Sequence, residues 1–139
     1  MSALELAPRT LRFLPQGLVA AVGAQLLVDE VLRHAPPTAL EVENAIEVIE
    51  EAMMPLHRQL QGGGELRVRG EGVSALRELG GPLLDAEGIE ALFTRAAAVA
   101  QGRPATGEPV LSQPAAMAVL LILREVLHHL GFSAVRLEN

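Results

Sequence analysis

The chain has 139 residues, a formal charge of −6 and a pI near 5.2. Half of its residues are apolar and 2% are aromatic, and its eleven cationic residues are all Arg and scattered; this argues against nucleic acid and anionic membrane surfaces as partners. Lys, Cys, Tyr and Trp are absent, which removes Schiff-base chemistry, the P-loop lysine, thiol nucleophiles, thiolate metal sites, disulfides and phenolic acids.

Leu4-Glu5-Leu6 alternates and reads as a short strand ended by Pro8. Thr10 is placed to cap a short turn, Leu11 to Leu14. A helix is then expected from Pro15 or Gln16 to about Arg33, since Leu18 to Leu32 is apolar nearly all round and such a helix is buried. Pro36-Pro37 breaks the chain. Thr38 and Glu41 have capping-box spacing and open a helix over 39–54. Its apolar stripe is Val42, Ala45, Ile46, Ile49, Ala52, Met53 and Leu56, and Glu43, Glu47, Glu50 and Glu51 read as its solvated face. Pro55 stops or kinks it.

Gly62-Gly63-Gly64 reads as a hinge. Glu65 to Arg69 alternates as a half-buried strand, and Val73 to Leu79 follows as a short helix stopped by Gly80-Gly81. Asp85 caps a helix to about Gln101, with Ile89, Leu92, Phe93, Ala96, Ala97 and Ala100 on one face. A Pro- and Gly-rich loop occupies 103–111. Ser112 is placed to cap the last long helix, which has Pro114 in its first turn and ends near Gly131. Its nine-residue apolar run, Ala115 to Leu123, is far short of the about 20 residues that span a membrane. Ser133 to Leu137 reads as a final strand.

Together these elements predict a single α+β domain over residues 1–139. About five helices, with 16–33 and 114–130 nearly fully buried, pack on one face of a small two- or three-stranded sheet. No targeting signal is visible, so a cytoplasmic location is the expectation. The Arg-for-Lys bias with abundant Ala, Gly, Leu and Pro is the composition of a GC-rich bacterial genome.

Four patterns bear on chemistry. Gly70-x-Gly72-x-x-Ala75 has the spacing of a dinucleotide fingerprint. It lacks the context: the strand before it carries Arg67 and Arg69 on one face, and another helix is expected where a second parallel strand should stand. The residues that could bind an anion there are Arg67, Arg69, Gly70, Gly72, Val73 and Ser74, using the free N–H groups of a helix start. Second, Glu125-x-x-His128 is half of a di-metal helix motif without a second copy. No cofactor or metal is expected; the nearest ligand candidates are Glu125, His128 and His57, with Glu50 or Glu51 supplying a further carboxylate. Third, the acidic helix face is a surface for a basic partner or simply for water. Fourth, Ser74 sits in Gly-Val-Ser-Ala-Leu, which is not the G-x-S-x-G nucleophile pattern.

So many catalytic side chains are missing that the leading expectation is a non-catalytic interaction or scaffold module, self-associating as a homodimer to cover apolar surface. The alternative expectation is a small-ligand or anion-binding protein, possibly an enzyme, with a pocket between helices and sheet near the Gly70–Gly72 turn.

Overall fold

The computed structural model describes residues 2–60 and 62–138. In chain order it contains β1 (Ala3–Leu6), β2 (Leu11–Leu14), β3 (Leu18–Ala20), α1 (Ala24–Glu30), α2 (Ala39–Met53), β4 (Glu65–Gly70), α3 (Val73–Gly80), β5 (Leu83–Asp85), α4 (Ala86–Ala100), α5 (Pro114–Leu130) and β6 (Ala134–Leu137). The six strands form one mixed sheet in the order β3-β2-β1-β4-β6-β5. β1, β4 and β6 are parallel, and the outer strands join antiparallel.

The expected two- or three-stranded sheet is therefore wrong, and the reason is local. Leu11 to Leu14 is a strand, not a turn: Leu11 and Phe13 are buried against the helices while Arg12 faces out. The expected helix over 16–33 is two elements. Gly17, with φ +76°, turns the chain by donating its N–H to the Phe13 carbonyl, and Leu18–Ala20 then pairs with Leu11–Phe13. Only from Ala24 does the chain turn helical, for seven residues. A continuous apolar run does not distinguish a buried helix from a buried strand; here the partner strand β2 decided it. The three-residue β5, between α3 and α4, was also not foreseen; it pairs with β6.

One sheet face meets the helices through Leu4, Leu6, Leu66, Val68, Val135 and Leu137, all buried. The other carries charge. The register sets Glu5 between Arg12 and Arg69, and sets Arg67 directly opposite Arg136. Glu138 and Glu65 relieve that like-charge pair: Arg67 Nε donates to Glu138 at 2.8 Å and Arg136 to Glu65 at 2.8 Å. Such exposed pairs contribute little stability, but they keep this face polar.

α5 is the centre of the helical layer. Ala116 to Leu123 is buried without a break, and α5 packs against α1, α2, α3 and α4. Among the described residues no helix is long and apolar enough to cross a membrane. The capping box of α2 is present: Thr38 Oγ1 accepts from the Glu41 N–H at 3.1 Å, and Glu41 accepts from the Thr38 N–H at 2.9 Å.

Candidate functional site

Parallel strands give the sheet two unlike edges. Two helix starts lie at the C-terminal ends of β1 and β4. The α1 start packs on the β1–β2 turn, where the Leu26 N–H reaches the Pro8 carbonyl, and α3 begins just past β4. At the N-terminal end of β4 and β6, the last turns of α2 and α5 come together, joined to the strands by residues 54–64 and 131–133. Helix starts favour anions and helix ends favour cations, so the two edges differ in chemistry before any side chain is considered.

The glycine turn lies at the first edge. Gly70, with φ +125°, and Gly72, with φ +81°, adopt backbone angles that side chains rarely tolerate. A Cβ on Gly70 would collide with the Leu6 carbonyl oxygen, and one on Gly72 would sit 2.6 Å from Val119. The glycines thus let a strand turn into a helix against its neighbours. Gly72 caps α3 without any side-chain hydrogen bond, and the first turn of α3 holds no acidic residue. Of the anion candidates, Val73 is buried in the core and Ser74 is exposed. Arg67 and Arg69 are held on the outer sheet face; Arg69 gives 2.6 and 3.0 Å bonds to Glu5. The structure does not bring them onto the turn. The element after α3 is a strand, not the helix expected, yet it pairs antiparallel, so the second parallel strand of a dinucleotide unit is still missing.

The second edge holds a cluster of titratable side chains. Glu125, on the last turns of α5, is 2% exposed. His129 stands one turn further on and presents Nε2 to two carboxylates, 3.2 Å from Glu125 Oε1 and 2.9 Å from Glu50 Oε2. Arg124 donates to the other Glu125 oxygen at 3.1 Å, lies 4.0 Å over the Phe93 ring, and also binds Glu90 at 2.8 Å. Burial raises the Glu125 pKa, and the neighbouring Glu50 charge raises it further; the Arg124 and His129 charges oppose both. A cleft of about 610 Å³ opens beside this cluster, lined by Glu50, Met53, Met54, His57, Arg58 and His129.

Among the metal-ligand candidates, Glu125 belongs to this cluster and His57 lines its cleft. His128 does not join them; its Nε2 lies 3.0 Å from Glu90 Oε1. Glu51 stays exposed on α2. The Glu-x-x-His spacing points to His128, whereas in the structure it is His129 that faces Glu125 and Glu50. The i,i+4 spacing of Glu125 and His129 is the available signal, since it too places both on one helix face.

By sequence, no family model and no curated protein matches the chain. By structure, several enzymes match. The Ppx/GppA enzyme of Aquifex aeolicus aligns at a TM-score of 0.72 and 13% identity, over 97% of this chain and 52% of that one. The type II variant of the Aquifex aeolicus Ppx/GppA phosphatase gives 0.72 and 14%, over 97% and 51%. An exopolyphosphatase from Cytophaga hutchinsonii gives 0.68 and 15%, over 96% and 51%. The chain has the fold of about half of each of these proteins. A non-catalytic interaction or scaffold module, the leading expectation from sequence, does not stand against neighbours that are enzymes.

Proposed function

We propose that this chain is a phosphate-handling domain of the exopolyphosphatase type, binding a phosphate chain at the edge where β1 and β4 end. The observation that carries this reading is the likeness to Ppx/GppA structures across nearly all of the chain. The local geometry supports it. In open sheets, ligands sit outside the carboxyl ends of parallel strands. The N–H groups in the first turn of α3 have no side-chain cap and point to that edge.

The chain departs from a Lys-based phosphate cradle, for it has no Lys and a charge of −6. Backbone N–H groups at the start of α3, with a bound cation as counter-charge, would therefore carry the recognition. The chain spans about half the length of the structures it matches. Native mass spectrometry distinguishes a homodimer from a monomer.

The test is release of inorganic phosphate from polyphosphate by the full chain with a divalent cation, alongside calorimetric titration of tripolyphosphate. Binding is expected, and Ser74→Glu should weaken it about tenfold or more. The new carboxylate occupies the same helix start, where it favours folding by roughly 0.3–1 kcal/mol. Lost affinity with an unchanged or raised melting temperature therefore supports the site. Absence of both tripolyphosphate binding and phosphate release would overturn the proposal.

A further inference from the structure

From the geometry of the opposite edge we infer that Glu50, Glu125 and His129 form a binding site for a first-row divalent cation of the zinc class, with an open coordination position facing the cleft. This site is separate from the phosphate edge and does not depend on that reading.

Three observations carry it. The first is ligand geometry. One ligand atom from each residue lies within 4.8 Å of the other two, and His129 Nε2 is 2.9 and 3.2 Å from the carboxylate oxygens. Ligands about 2.0–2.1 Å from a tetrahedral metal stand about 3.3 Å from each other. A metal therefore fits between these atoms with small rotations.

The second is charge. Two carboxylates converge at the ends of two helices, whose dipoles make the locus still more negative. His129 and Arg124 are the groups that offset this, and Arg124 also serves Glu90. A divalent cation neutralises both carboxylates at once.

The third is how the ligands are held. Glu125 is 2% exposed, and Arg124 fixes its Oε2 at 3.1 Å, leaving Oε1 aimed at His129. That is the outer-shell support which orients a metal-binding carboxylate. Glu50 and His129 line the cleft, so the fourth position opens to solvent, as in sites that hold an exchangeable water. One imidazole with two carboxylates favours zinc, cobalt or manganese over calcium, which takes six to eight oxygens.

The comparison within the molecule is His34, whose Nδ1 lies 2.8 Å from Glu41. One carboxylate meets one exposed imidazole there, and that carboxylate is already engaged by the N–H groups of Thr38 and Arg33. His34→Asn is therefore the control.

The experiment is calorimetric titration of the untagged, chelator-treated chain with ZnCl2, with CoCl2 absorption spectra as a second readout. One zinc per chain is expected, with a visible cobalt band of low-coordinate type. Glu50→Gln and His129→Asn should each weaken binding by about 10- to 100-fold or more, and His34→Asn should leave it unchanged. Glu50 and His129 are partly exposed, so circular dichroism should show both variants folded. No binding below about millimolar zinc would overturn the inference. So would binding that survives in both variants.

Discussion

The two ends of α2 carry the same side chain in opposite circumstances. At its start, burial would raise Glu41, but hydrogen bonds from the Thr38 N–H, the His34 ring and the Arg33 N–H outweigh that and hold its pKa below the ordinary value. At its end, Glu50 faces Glu125 on α5, and burial plus this second carboxylate push Glu125 up. At the start His34 meets one satisfied carboxylate, and at the end His129 meets two competing ones. A helix start supplies N–H donors and settles a carboxylate; a helix end supplies carbonyls and leaves it seeking a cation. The same asymmetry places the proposed phosphate at one sheet edge and the proposed metal at the other.

This contrast can be broken by substitution. The largest effect is expected at the helix end: Glu125→Ala removes a buried side chain and the Arg124 and His129 bonds, and should cost about 2–3 kcal/mol in urea denaturation. Glu125→Gln keeps the volume and should cost less than about 1 kcal/mol. At the helix start, Thr38→Ala removes a cap and should cost about 1 kcal/mol. Were Thr38→Ala the costlier change, Glu125 would not be the more constrained of the two carboxylates.

The smallest effect is in pH. The folded pKa of Glu41 lies below its unfolded value, so its contribution is present above about pH 4.3 and is lost as pH falls through the folded value. Glu108 acts in the same sense, held low first by the hydrogen bond from Arg95. Urea midpoints of wild type and Glu41→Gln should differ near neutrality, by under about 1 kcal/mol, and converge in acid. A difference that widened in acid would contradict the direction assigned to Glu41.

α2 and α5 were legible in the sequence because their signals are local. A capping box, a 3.6-residue stripe and an unbroken apolar run need no knowledge of the rest of the chain. The alternation of Leu66 and Val68 likewise marked β4. The hairpin of β2 and β3 was not legible, because Leu18–Ala20 is a strand only by pairing with Leu11–Phe13. Three-residue β5 depends in the same way on β6. Of the cluster, Glu125 and its adjacent histidines were visible as a motif, and Glu50 was one of several acids on a solvated face. The packing of α2 on α5 singled it out.

The sequence alone determined which side chains are absent: no lysine, thiol or phenol. It also determined that Gly70 and Gly72 turn a corner, since glycine tolerates those angles at least cost. Only the tertiary structure decided that the corner lies on a parallel-strand edge beside an uncapped helix start. It also decided that His129, not His128, faces Glu125 and Glu50. Backbone angles and side-chain periodicity are properties of a few consecutive residues. The meeting of two helix ends depends on how a whole layer packs on a six-stranded sheet.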